Sequence, residues 1–206
     1  MSDSILLLES IKRTAQGRLN SAAPDLLDQE MRWVLDDFLK ASRLWRRHVA
    51  VPLTVGTIDY TLDIEDYESV AGLVVAKFNT STLAVYIQHT PYTETGTPAR
   101  IGMLTDRTVR VYPVPASGVA GQLDLDVWLT MLPSTDQPPP DEIRPFHTAL
   151  LHGLLARCYS IPDRPWTNMA MASYHEQHFI HETAQARRTV DGARARGAQF
   201  MPIPRF

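Results

Sequence analysis

Hydrophobic residues recur with a helical spacing at both ends of this chain and with a two-residue spacing in its middle. Near the start, Ile5, Leu8, Ile11, Ala15 and Leu19 lie three or four positions apart, the stripe of an amphipathic helix. Asn20-Ser21 interrupts it. Pro24 suits the first turn of a second helix, where its missing N–H is not needed, and Asp25 and Asp28 sit near the positive end of the helix dipole. Leu27, Met31, Val34, Leu35 and Phe38 carry the stripe onward, with Trp45 as a candidate extension. Pro52 and Gly56 end any helix.

The period then changes to two. Ile58, Tyr60 and Leu62 alternate with Thr57, Asp59 and Thr61, and Val109 and Val111 with Thr108, Arg110 and Tyr112. Leu123, Leu125, Val127 and Leu129 alternate with Asp124, Asp126, Trp128 and Thr130. Residues 73–78 and 83–87 read as two more strands, joined by the turn-like Asn79-Thr80-Ser81-Thr82. Strands with one apolar face each predict a small antiparallel barrel or sandwich.

Helical spacing returns after Gln137-Pro138-Pro139-Pro140, a stiff, extended linker. Pro140-Asp141-Glu142 opens a helix whose stripe is Ile143, Phe146, Leu150, Leu151, Leu154, Leu155 and Cys158. Residues 161–165 interrupt, and a last helix runs from about Trp166 to near Gly192. Residues 197–206, with two prolines, read as extended. The prediction is an α+β protein. Residues 1–49 and 136–196 form a helical bundle, 50–135 an inserted small antiparallel β-barrel or sandwich domain, and 197–206 an extended docking tail. No internal repeat is visible.

Composition narrows the function classes. The 206 residues are 44% hydrophobic and 21% charged, as in folded proteins, and wholesale disorder is excluded. The net charge of −3 is no signature of a nucleic-acid binder. By segment it is +1 over residues 1–49, −5 over 50–135 and +1 over 136–206, so the acidity belongs to the β segment. The single cysteine, Cys158, excludes an internal disulfide framework and any multi-cysteine zinc site, and its place on a leucine-rich stripe reads as a buried structural thiol. No apolar run approaches the ~20 residues of a membrane helix, and Ile5 to Leu8 lacks the flanks and length of a secretion signal. The expectation is a soluble protein from a reducing compartment.

The search for chemistry finds little. The glycines never take phosphate-loop or dinucleotide spacings, and Ser117, in Ala116-Ser117-Gly118, sits in a hairpin turn, not a nucleophile elbow. His175, His178 and His181 recur every three residues, so the outer two point roughly 120° apart on a helix and only a pair can share a metal. Asp36 and Asp37 diverge by ~100° on theirs. Asp124 and Asp126 share one strand face, as general acid–base pairs do, but they are equally the polar half of an alternating strand. No catalytic residue, metal or other cofactor is expected. Residues 187–206 hold Arg187, Arg188, Arg194, Arg196 and Arg205 against Asp191 alone. Phosphates or an acidic protein surface can both meet such a run. Phe200, Met201, Ile203 and Phe206 decide for protein, since apolar anchors among arginines characterise buried interfaces.

Ordered pieces along most of the chain resemble a known family. Ser42-Arg43-Leu44-Trp45-Arg46 closes the second helix, and Gly56-Thr57-Ile58-Asp59-Tyr60-Thr61-Leu62 follows as a strand. Gly96-Thr97-Pro98 precedes a strand ending in Val111-Tyr112-Pro113-Val114-Pro115, and the strand 123–129 leads into Leu132-Pro133. His152-Gly153-Leu154-Leu155-Ala156-Arg157 lies mid-helix, and Tyr174, Phe179 and Ala186-Arg187 mark the last helix. In order and spacing these pieces resemble bacteriophage head-to-tail adaptor (connector) proteins of the tail tubular protein A type. The resemblance implies a non-enzymatic virion protein, a dodecameric ring beneath the portal protein that extends the channel for double-stranded DNA, binds no sequence and no membrane, and receives a tail or nozzle protein. It also places the tail arginines and apolar anchors against the portal, after assembly in the host cytoplasm. Two rival readings stand beside it. Tyr60, Tyr86, Tyr92, Tyr112 and Trp128 supply stacking faces for a carbohydrate- or protein-binding β module, though core and strand packing uses the same residues. A metal-dependent hydrolase would use His175, His178 or the Asp124/Asp126 pair.

Overall fold

Helices α1 (Asp3–Arg18) and α2 (Pro24–Ser42) form where the two N-terminal stripes predict them. The computed structural model describes residues 3–20, 22–85, 94–135, 137 and 139–199, with side chains of the last helix described up to Gly192. Pro24 occupies the start of α2, and Arg43, in the left-handed region at φ 54°, ends it with its N–H bonded to Leu39 O at 3.1 Å. Trp45 therefore does not extend α2. The linker proline Pro139 accepts a hydrogen bond at 2.9 Å from the buried Ser4 hydroxyl on α1.

The chain divides into two units: one takes it up to Leu44 and again from Pro133, the other is Trp45–Leu132. In the first, Asp141–Phe146 is a 3-10 turn that contains Pro145, whose ring would clash with the carbonyl four residues back in an α-helix. The regular helix α3 (His147–Ser160) begins only after it, later than the sequence predicts. The last helix, α4 (Met169–Gln199), starts later than expected and does not stop at Gly192. Residues 197–199, expected as extended, are helical, while 200–206 lie outside the described residues.

The core of this unit is built from the predicted stripes. Ile11 and Ala15 of α1, Leu19 just after it, Leu27, Met31, Val34, Leu35 and Phe38 of α2, and Leu150, Leu154, Leu155 and Cys158 of α3 are all buried. Phe38 is fully buried and meets Phe146 and Phe179 at ring-centroid distances of 5.7 and 6.5 Å. At Gly153 on α3, side chains of α2 and α4 pack closely against the backbone. A Cβ there would stand 2.7 Å from Val34 Cγ1 and 2.9 Å from the Phe179 ring, so even alanine would force these neighbours to shift. Arg157 on α3 bonds Glu30 at 2.7 Å and lies 3.5 Å from Asp37, both on α2.

The second unit begins with a strand the sequence did not predict, β1 (Arg46–Pro52). It is followed by β2 (Asp59–Thr61), β3 (Glu68–Phe78), β4 (Ser81–Thr82), β5 (Ala84–Val85), β6 (Thr95–Gly96), β7 (Arg100–Met103), β8 (Thr108–Tyr112), β9 (Val114–Pro115) and β10 (Gln122–Met131). One antiparallel sheet has the order β1-β10-β3-β4 and another the order β2-β8-β7-β5. The expectation of purely antiparallel pairing is corrected at two places: β5 runs parallel to β7, and β6 pairs in parallel with β9. Each pairing spans two residues, too few to leave an alternation in the sequence. None of these sheets closes on itself.

Inward residues of both larger sheets share one apolar cluster, including Leu123, Leu125 and Val127 of β10 and Ile101, Val109 and Val111 of β7 and β8. The β3–β4 turn is Asn79-Thr80, with Asn79 at φ 52°, a conformation asparagine tolerates. Gly72 on β3 lies beneath the Trp128 indole, where a Cβ would be 2.2 Å from the ring. That close approach requires glycine.

Candidate docking surface

The C-terminal arginines divide between two settings. Arg187 and Arg188 are exposed on α4, and Arg187 Nε stands 3.7 Å from Asp191 one turn further along. Arg194 and Arg196 belong to the same helix by backbone, whereas Phe200, Met201, Ile203, Arg205 and Phe206 lie outside the described residues. On the described part of α4, Ala186 is the last buried residue. Toward its start, the helix also exposes Met169, Tyr174 and Ile180, each at 51% or more. Between α2, α3 and α4 runs an open groove of about 320 Å³, with Asp37, Arg157 and Glu176 among its walls. Burial pushes the Asp37 carboxyl above the usual range, against the pull of Arg157.

Two of the three evenly spaced α4 histidines meet a histidine of another helix. His175 is buried, its Nδ1 2.8 Å from Nδ1 of His152 on α3. His178 stacks on His152 with centroids 4.8 Å apart, and the exposed His181 is 2.7 Å from the Gln185 amide. His152 was missed because it sits 23 residues away in sequence, with only a position inside a leucine stripe to mark it. Burial lowers the basicity of both His152 and His175, the latter to about 4. Among the described residues, no group of three or more His, Cys, Asp or Glu side chains is placed to hold a metal ion.

In the β unit, Asp124 and Asp126 flank the exposed His48, at 3.7 Å and 3.1 Å. Both face solvent from the alternating strand β10, as its burial pattern requires. The stacking candidates among the described residues serve packing. Tyr60 is buried, with its hydroxyl donated toward the Thr54 and Thr57 carbonyls, Tyr112 is buried, and one face of Trp128 covers Gly72. Tyr86 and Tyr92 lie outside the described residues. Cys158 is fully buried, and desolvation pushes its thiol up to about 12, too weakly acidic to supply a thiolate nucleophile at neutral pH.

What this geometry leaves to solvent is part of a long helix, α4, with Arg187 and Arg188 exposed on it. A family described as SU10 adaptor protein matches residues 7–202, almost the whole chain. The chain belongs to the SU10 adaptor protein family. A search of curated proteins finds no match. Membership gives this SU10 adaptor the structural role of a phage adaptor in the virion, in agreement with the head-to-tail resemblance of its sequence pieces. An adaptor of this family interacts with portal and tail proteins and with other copies of itself. Among its described residues, no helix is long and apolar enough to cross a membrane.

Proposed function

We propose that this chain is a subunit of a closed ring, dodecameric as the family resemblance implies, seated beneath the portal of a DNA-filled head. The ring extends the DNA channel and presents the surface on which a tail or nozzle protein assembles, after subunits made in the host cytoplasm meet the portal. Head-to-tail contacts that close at a fixed rotation generate such a ring without any chemical step. The observation that carries the reading is α4. It runs for 31 residues through Gln199, its last described buried residue is Ala186, and its far end bears Arg187, Arg188, Arg194 and Arg196. These arginines, followed in sequence by Phe200, Met201, Ile203, Arg205 and Phe206, supply charged and apolar anchors for the portal. The β unit, two open sheets around one core, is the sandwich-like body of the subunit. Its net −5 over residues 50–135 repels passing double-stranded DNA where it meets the channel, so the genome slides without being held.

Deleting residues 197–206 tests the docking end. The truncated chain is expected to keep its far-UV circular dichroism and melting temperature, because the described core ends at Ala186, and to lose co-sedimentation with the portal protein. Unchanged portal binding by a folded, truncated chain would remove the tail from the interface.

A further inference from the structure

The pairing of His152 with His175 is unusual because both partners are titratable and both present the same ring nitrogen. At 2.8 Å between the two Nδ1 atoms, one ring must donate and the other accept, so a single hydrogen lies between them. His175 is only 2% exposed, and its Nε2 is buried with no hydrogen-bond partner. Two further aromatic rings pack on it: Tyr159 stacks at 5.7 Å and 9°, and Tyr174 meets it edge-on at 5.1 Å. The charged and titratable groups facing the pair are Arg18 from α1, Tyr159 from α3, and Tyr174, His178 and Glu182 from α4. Glu182 is the one acid in that set, and it favours a proton on His152, not on His175.

We propose that His152 and His175 are a proton-operated latch that holds α4 against α3 while at most one of the two rings is charged. The proton count explains why. A neutral pair has one bridging N–H. The first added proton can be held by half-buried His152, which keeps the bridge as donor and faces Glu182. The second must go to His175. Its Nδ1 then carries a hydrogen pointing at another N–H, and its Nε2–H is a buried cationic donor without an acceptor. No tautomer satisfies both rings, and the contact opens. Both rings are held below the ordinary histidine value of 6.5, His175 at about 4. The stabilisation is therefore complete above about pH 6.5 and declines as the pH falls toward 4. Each histidine weakens the closed state by up to about tenfold per pH unit across its own window. Because α4 carries the basic docking end, opening the latch changes how that end is presented. The latch itself is a property of the free chain and can be tested without the portal.

Two measurements on the full chain test it. In ¹⁵N NMR titrations of the wild-type imidazoles, His175 is expected to stay neutral until close to pH 4. Hydrogen exchange of the α4 amides opposite α3, corrected for the chemical exchange rate, is expected to accelerate at least tenfold between pH 6.5 and pH 4. His175→Phe keeps a ring between Tyr159 and Tyr174 but cannot titrate, and should lose most of that acceleration. A His175 that titrates near 6.5, α4 protection independent of pH in the wild type, or an undiminished acceleration in His175→Phe would each overturn the latch. If His175→Phe fails to fold, the two wild-type measurements decide alone.

Discussion

Phe38→Ala is expected to destabilise the helical unit by about 4 kcal/mol, the range for removing a fully buried aromatic ring. The ring is in contact with Phe146 before α3 and Phe179 on α4, and the closely packed Gly153 site fixes the backbones around it. Helices packed this closely collapse only partly into the vacated space, so the lost contacts and the cavity both count. In thermal unfolding followed at 222 nm, the helical transition should fall by roughly 10 °C or more. Phe38→Leu, which keeps most of the volume, should cost much less. A loss below about 1 kcal/mol for the alanine variant would mean that Phe38 is not the centre of the core.

The second large effect lies in the β unit. The Glu68 carboxylate is 0% exposed and receives both guanidinium nitrogens of Arg47 at 2.5 Å, along with the Glu65 N–H at 3.0 Å. Arg47→Ala leaves that carboxylate buried without its counter-charge and should cost about 3 kcal/mol. That is the lower end of the range for breaking a buried pair, because Arg47 itself is one-third exposed and water can enter the vacated side. The pair ties the start of β3 to β1, so the first hydrogen-exchange protection lost should be along β1. Replacing both partners with apolar residues, Arg47→Met with Glu68→Leu, should recover most of the loss, since no charge then remains buried. Urea unfolding of the three proteins reads both effects. A double variant no more stable than Arg47→Ala would show that the pair is not what holds these strands.

The elements that could be read from the sequence are those whose burial is periodic. The α2 stripe from Leu27 to Phe38 is buried at every predicted position, and β10 buries Leu123, Leu125, Val127 and Leu129 while Gln122, Asp124, Asp126 and Trp128 between them stay at least partly exposed. Strand β1 was missed because Val49 alone of its seven residues is buried, and Arg46-Arg47-His48 reads like the basic end of a helix. It lies at the edge of its sheet, where one ladder and one apolar contact suffice. The two parallel pairings are likewise set by neighbouring strands and not by their own residues. On the candidate surface, Arg187 and Arg188 were found from charge alone, since an exposed basic run needs no partner to be visible. The histidine cluster was half legible. Spacing singled out His175 and His178, but their partner His152 comes from another helix, and only packing brings it within 2.8 Å.

The adaptor reading as a whole is tested most directly by mass photometry of the purified chain, alone and mixed with the portal protein of its own phage. The account predicts a small species alone and, on mixing, a single large complex whose added mass is that of a full ring of subunits. A chain that stays small and leaves the portal mass unchanged would contradict it.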